Sequence, residues 1–88
     1  MSIKKTVVVK YLVTNQPYDV EIEIDKRVSD LKKKIEDLLG IKLINKLMIK
    51  HKQQRNQKSL EDENKTIEDA RIHNGDIITI AKTDVLGG

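Results

Sequence analysis

The sequence predicts an α+β fold in which one helix packs across one face of a mixed sheet of about five strands. Three observations support this prediction. Strand-like apolar patterns occur at both ends of the 88-residue chain, one helical stripe lies between them, and the chain is too short for a second core. A single helix can cover only one face of a sheet, so the other face is expected to meet solvent or a partner.

The first two strands are predicted to form a hairpin. Residues 6–13 are rich in β-branched residues, which favour extended structure. Residues 15–17, Asn-Gln-Pro, supply the turn. Val20, Ile22 and Ile24 then alternate with acidic residues, which is typical of a strand with one buried face.

A helix is predicted next, because apolar residues recur at three- and four-residue spacing from Val28 to Leu38 or Leu39. Ser29 is the expected N-cap, with Asp30 near the positive end of the helix dipole. Gly40 stands where a left-handed C-cap is needed.

Three further strands complete the predicted sheet. Leu47–Ile49 is a short strand, a polar stretch over Lys50–Ser59 leads to a second one near Leu60, and Ile77–Ile80 is the last strand, after a turn at 74–75. The right-handed crossover rule places this last strand parallel to the first, in the middle of the sheet. That is the β-grasp arrangement. The residues expected to be buried between helix and sheet are Val7, Val9, Val20, Ile22, Ile24, Val28, Leu31, Ile35, Leu47, Ile49, Leu60, Ile67, Ile72, Ile78 and Ile80.

Composition excludes several classes of function. The absence of cysteine rules out disulfides, zinc–thiolate sites and a cysteine nucleophile. No apolar run approaches a membrane span and no secretory signal precedes the domain, so we expect a cytoplasmic and/or nuclear protein with no membrane partner. His51 and His73 are far apart in sequence and are expected at the surface, without a metal site. No catalytic motif stands out, so we expect no enzyme activity.

The charges are segregated along the chain. Residues 41–60 carry six basic residues and no acid, whereas residues 19–25 carry four acids, although the net charge is only +3. A folded surface with a positive side and a negative side is expected.

The sequence resembles ubiquitin over nearly its whole length. The resemblance is carried by the hairpin, the passage Val28–Ile49, Leu-Glu-Asp at 60–62, Thr-Ile-Glu-Asp at 66–69, and the terminal Gly87 and Gly88. It implies a ubiquitin-like domain over 1–82 and a flexible C-terminal tail over 83–88. The chain departs from ubiquitin in having about six more residues between Ile49 and Leu60 and an alanine, Ala81, where ubiquitin has an exposed valine.

The resemblance implies a protein modifier that is conjugated through its terminal glycine carboxylate. In this family an activating enzyme uses ATP to form an acyl-adenylate, a catalytic cysteine of that enzyme takes the acyl group as a thioester, and an amine of a target protein receives it in an isopeptide bond. The implied partners are therefore activating and conjugating enzymes, target proteins, and a processing protease or self-splicing element if a precursor is made. This chain itself would be a monomer that binds no cofactor. Glycine at both terminal positions would let the tail enter a narrow channel.

The resemblance also locates a partner-binding patch on Lys46, Met48, Ala81 and Lys82. The leucine of ubiquitin's first loop has no counterpart within 14–17, so we expect weak binding, or none, to helices that recognise ubiquitin. The polar insertion would bring cations to the rim and select acidic partners, or it would be a solvated, disordered loop. Possible acceptor lysines for chain formation are Lys32, Lys34, Lys52 and Lys58.

Three alternatives remain at this stage. The chain could be a ubiquitin-like docking domain that is never conjugated. It could be a β-grasp sulfur carrier, although the 60–69 passage argues against that. The basic stretch could bind nucleic acid, but no aromatic residue lies near it to stack on bases.

Overall fold

The computed structural model describes residues 3–87 and has the predicted architecture. Its elements are β1 (Lys4–Tyr11), β2 (Gln16–Glu23), α1 (Val28–Leu39), β3 (Met48–Lys50), β4 (Lys58–Ser59), β5 (Ile77–Ile80) and a 3₁₀ turn over Lys82–Asp84. The strand order is β2-β1-β5-β3-β4. β5 runs parallel to β1 in the centre, and every other pair is antiparallel, so the crossover prediction is confirmed.

The hairpin differs from the prediction in its turn. Residues 12–15 form the turn, with Asn15 at a φ of 57°, and Pro17 lies inside β2. The N–H of Val8 donates to Asp76 O, just before β5, so it points toward β5. Backbone N–H groups alternate in direction along a strand, so the N–H of Lys10 also points toward β5. The backbone nitrogen of its partner, Pro17, therefore points to the open edge of β2. A missing N–H costs nothing there, which is why proline is tolerated in this strand.

The helix begins two residues earlier than a Ser29 N-cap would require. Arg27 is the N-cap: its carbonyl accepts from Asp30 N–H, and its own N–H donates to Asp30 Oδ2 at 2.9 Å. Ser29 is inside the helix, and its N–H donates to Glu63 O. The C-cap is confirmed, since Gly40 has a φ of 66° and donates to Glu36 O.

The core lies between α1 and the inner face of the sheet. Every residue expected there is buried except Ile24, which follows β2 and is only half-buried. Leu43 and Ala70 join the core although no periodic pattern marked them. Within residues 3–87, α1 is the one α-helix, and at 12 residues it could not cross a membrane.

Candidate protein-interaction surface

The face of the sheet opposite the helix carries a half-buried apolar strip. Val8 on β1 stands opposite Ile77 on β5, and Met48 on β3 stands opposite Thr79, the next outward position of β5. Ala81 follows two residues later with the same orientation. These residues are neither core nor fully exposed, so their apolar surface is available to a partner.

Leu12 supplies an apolar side chain at the first turn, where no counterpart of ubiquitin's loop leucine was expected among residues 14–17. Its N–H donates to Ile80 O at 2.9 Å, which continues the β1–β5 ladder by one residue and puts Leu12 opposite Ala81. Its side chain is 52% exposed. We call Val8, Leu12, Met48, Ile77 and Ala81 the outer patch.

Lysines border the outer patch within the sheet. Lys10 is exposed and pairs with Thr79, and Lys50 pairs with Ile77. The outward residues of β1, β3 and β5 include no acid, whereas those of β2 include Asp19 and Glu21. The patch is therefore flanked by positive charge in the centre of the sheet and by negative charge only at the β2 edge.

The two lysines assigned to the patch from sequence differ in position. Lys82 is exposed at the start of the 3₁₀ turn, beside Ala81. The ammonium of Lys46 lies 3.5 Å from Glu63 Oε1, and Lys32 Nζ lies 3.1 Å from the other oxygen of that carboxylate. Lys46 is thus held by a neighbouring loop, although its side chain remains half exposed.

The proposed acceptor lysines are not equally available. The side chain of Lys32 is only 17% exposed and its amine is engaged by Glu63. Lys34 Nζ donates to the backbone oxygen of Glu21 at the β2 edge. Lys52 and Lys58 are exposed, the first in the insertion and the second on β4.

The insertion loop, residues 51–57, is held to the rest of the domain at both ends. His51 Nδ1 lies 2.8 Å from Asp76 Oδ2, and Gln57 Nε2 donates to Thr79 Oγ1 at 3.2 Å. His73 is exposed, as expected, but His51 is only 23% exposed, and its ring centroid lies 5.3 Å from that of His73. The β3–β5 pairing joins them, and no local sequence signal could have revealed it. Over residues 3–87 no group of three or more His, Cys, Asp or Glu side chains has the geometry to hold a metal ion.

The chain after β5 folds back on the loop that follows the helix. Ile44 N–H donates to Asp84 O and Leu86 N–H donates to Lys42 O, each at 2.9 Å, so that Leu43 pairs with Val85. We call the two segments joined at this single bridge, 42–44 and 84–86, the C-terminal ribbon.

Asp84 fastens the C-terminal ribbon through its side chain. One carboxylate oxygen accepts from Asn45 Nδ2 at 2.8 Å and the other accepts from Ala81 N–H at 2.9 Å. Val85 packs against the core from the inner side of the ribbon. Of the expected tail the structure describes 83–87: it starts in the 3₁₀ turn, continues through the hydrogen-bonded residues of the ribbon, and ends with Gly87 in the left-handed region at a φ of 71°. Gly88 lies outside the described residues.

The chain matches no model of a known protein family and no curated protein. It does resemble solved ubiquitin-like domains. A domain from tubulin-binding cofactor B is 23% identical with a TM-score of 0.80, over 100% of this chain and 97% of that one. The C-terminal ubiquitin-like domain of mouse tubulin-specific chaperone e is 16% identical with a TM-score of 0.73, over 91% of this chain and 87% of that one. The N-terminal ubiquitin-like domain of tubulin-binding cofactor B from Drosophila melanogaster is 16% identical with a TM-score of 0.72, over 92% of this chain and 86% of that one. The chain therefore has the ubiquitin-like β-grasp fold.

Proposed function

We propose that this chain is a ubiquitin-like protein-interaction domain that binds a partner segment on its outer patch. The observation that carries the proposal is the apolar strip around Met48 and Ala81, completed by Leu12 and bordered by Lys10 and Lys50. Apolar anchors at the centre of a small surface provide most of the affinity in such interfaces, and the surrounding charges select the partner and speed its approach. The fitting partner presents an apolar centre with acidic flanks. No catalysis and no cofactor belong to this proposal.

Two further observations favour docking over conjugation. Two of the similar solved structures are described as the N-terminal or the C-terminal domain of a protein, as expected of a domain that is part of a longer chain. In this chain, residues 84–86 are hydrogen bonded into the C-terminal ribbon, and entry of the terminal glycines into an enzyme channel would require that ribbon to open. Opening the ribbon would break three hydrogen bonds, and their free-energy cost opposes conjugation.

Affinity purification with matched variants tests the proposal. Met48→Glu places a charge in the centre of the outer patch, whereas Leu38→Glu places the same charge at an exposed position of α1 on the other side of the sheet. Partners should be retained by the wild-type domain and by Leu38→Glu and lost from Met48→Glu, with amide spectra confirming that both variants are folded. Identical partners on all three proteins would show that the outer patch is not the binding surface.

Tubulin is the first specific partner to test, because all three of the similar domains described above come from proteins named for it. Purified tubulin dimers passed over the immobilised domain should be retained by the wild type and not by Met48→Glu. Failure to retain tubulin would exclude tubulin as the partner. The docking proposal itself would still be tested by the affinity purification with variants.

Conjugation through Gly87 and Gly88 is a second candidate function. It is favoured by the position of Gly87, which is exposed, follows the last hydrogen bond of the ribbon, and has open space where a side chain would be. The proposed chemistry is the one that the resemblance implies, with the activating and conjugating enzymes as partners. The exposed Lys52 and Lys58 are the better placed acceptors if chains form.

Incubation with cell lysate and ATP decides between the two functions. A modifier should form adducts with other proteins, some through thioester bonds, which added thiols cleave, and some through isopeptide bonds, which they do not cleave. Both kinds should disappear when Gly88 is deleted. A docking domain should give none and should bind its partner equally well without Gly88.

A further inference from the structure

A shallow, open cleft of about 360 Å³ lies between the insertion loop and the turn that precedes β5, at the end of the sheet where Lys50 pairs with Ile77. The residues that line its mouth are His51, Lys52, Gln53, Gln54, His73 and Asn74. They offer one ammonium group, three side-chain amides and two imidazoles.

The one acidic residue of the cleft is already satisfied by neighbouring donors. Asp76 is 2% exposed, and its Oδ2 accepts from His51 Nδ1 at 2.8 Å and from His73 N–H at 2.9 Å. A carboxylate that is 2% exposed presents almost no surface of its own to a ligand at the mouth of the cleft. The groups that remain there include one positive charge, on Lys52, and side-chain amides that can donate hydrogen bonds to a carboxylate.

The cleft is built before any ligand arrives. Gln54 N–H donates to His51 O at 2.9 Å, and the stem of Lys52 packs over Gly75, whose position would bring a Cβ to 3.5 Å from Lys52 Cδ. Together with the bond between Gln57 and Thr79, these contacts fix both ends of the loop. A ligand would therefore meet a loop whose backbone has already been ordered by folding.

We infer that this cleft binds the carboxylate side chains of an acidic segment whose apolar centre lies on the outer patch. The inference rests on the proposed function and adds the specificity of the partner. Lys50 connects the two sites, because it stands opposite Ile77 in the sheet and immediately precedes His51. Lys52 is the central cation of the site, with Arg55 and Lys58 further along the same basic stretch.

A protein segment fits this arrangement better than a nucleic acid. The described tyrosines, Tyr11 and Tyr18, both lie in the hairpin, so neither borders the cleft to stack on bases, and of the two imidazoles there the ring of His51 is held by Asp76. A nucleic acid would also leave the adjoining apolar strip unused, whereas a peptide with mixed character covers both surfaces.

Two synthetic peptides of equal length separate this inference from the proposed function. Both have the same leucine-rich centre, one is flanked by glutamines and the other by glutamates. Amide shifts on titration should place both peptides on the outer patch. The glutamate peptide should bind about tenfold more tightly, since one good charge-assisted contact contributes roughly 1.4 kcal/mol, and should also shift residues 51–54 and 73–74. This gain should shrink as salt rises.

Lys52→Gln should remove most of the gain without weakening the glutamine peptide. Lys33→Gln, at an exposed position of α1, should leave the gain intact. Equal affinity of the two peptides, or a gain that survives Lys52→Gln, would overturn the cleft assignment while leaving the docking proposal in place. Cleft shifts without any shift of the outer patch would overturn the proposed function and, with it, the claim that one segment covers both surfaces, and no binding of either peptide would also overturn carboxylate binding by the cleft. An oligothymidylate of matched charge that shifts the same cleft residues at equal or tighter affinity would overturn the choice of a peptide ligand.

Discussion

The carboxylate of Asp76 and the imidazole of His51 meet at 2.8 Å although 25 positions separate them in the chain. This contact joins the end of β3 to the turn before β5 and holds the insertion loop against the sheet. Removal of the carboxylate would leave His51 Nδ1 and His73 N–H without their acceptor in a part-buried setting.

Asp76→Ala is therefore expected to lower the free energy of unfolding by about 1–3 kcal/mol, the usual cost of leaving buried donors unsatisfied. Chemical denaturation followed by circular dichroism measures this change. Asp37→Ala, at an exposed position of α1, should change stability by less than about 0.5 kcal/mol. Equal effects of the two substitutions would mean that the Asp76 contacts contribute nothing to stability.

Ile35→Ala should lower the free energy of unfolding by about 2–5 kcal/mol, because Ile35 is fully buried between α1 and the sheet and its truncation leaves a cavity. Leu38→Ala is the matched control on the same helix, since Leu38 is largely exposed, and its cost should stay below about 1 kcal/mol. Thermal or chemical denaturation provides both values. A smaller loss for Ile35 than for Leu38 would contradict the register of the helix.

Arg71→Gly should stabilise the domain by about 0.5–1 kcal/mol. Arg71 has a φ of 57°, and its N–H and that of Ile72 donate to Glu68 O and Ile67 O, which is the hydrogen-bond pattern of a left-handed cap. Glycine removes the steric cost of this conformation, which exceeds the entropy that glycine adds to the unfolded chain. Arg71→Ala keeps the Cβ and should give no such gain. Chemical denaturation measures both variants. An unfolding midpoint of the glycine variant at or below that of the alanine variant would count against strain at this residue.

Asp84→Ala should open the C-terminal ribbon while leaving the core folded. The substitution removes the acceptors of Asn45 Nδ2 and Ala81 N–H, and a loss of about 1–2 kcal/mol locally would speed amide exchange of Ile44 and Leu86 by roughly tenfold or more. Thr83→Ala is the control, because the Thr83 side chain is exposed and only its backbone oxygen contacts Asn45. If Val8, in the central strand, exchanged faster by the same factor as Ile44, the ribbon would not be an independently opening unit.

The fold could be predicted from the sequence because periodicity and topology rules constrain it strongly. Val20 and Ile22 alternate with acids, the α1 stripe ends at Gly40, and one crossover hand places β5 beside β1. Errors arose where tertiary contacts override local preference. Ser29 lies inside the helix because Asp30 caps the N–H of Arg27, and Pro17 lies in a strand because its edge is open.

The candidate site could be predicted only in its centre. The resemblance to ubiquitin assigns Met48 and Ala81 to it, and both are half-buried on the outer face of the sheet. Leu12 was missed because the turn comes earlier than the proline suggested, and the His51–Asp76 contact was missed because it depends on the pairing of β3 with β5. Charge patterns indicate that a basic loop exists but carry no information about which buried carboxylate orders it.

The parallel pairing of β1 with β5 has a consequence for synthesis of the protein. Val8 pairs with Ile77, so the two central strands come from nearly opposite ends of the chain. Until the ribosome has passed residue 76, β1 is paired with β2 but has no strand on its other side. The side chains of Val7 and Val9, which are fully buried in the complete fold, are then only partly covered. Pairing of such distant segments slows folding and leaves apolar surface uncovered in the meantime. The nascent chain should therefore remain protease-sensitive until β5 has left the exit tunnel.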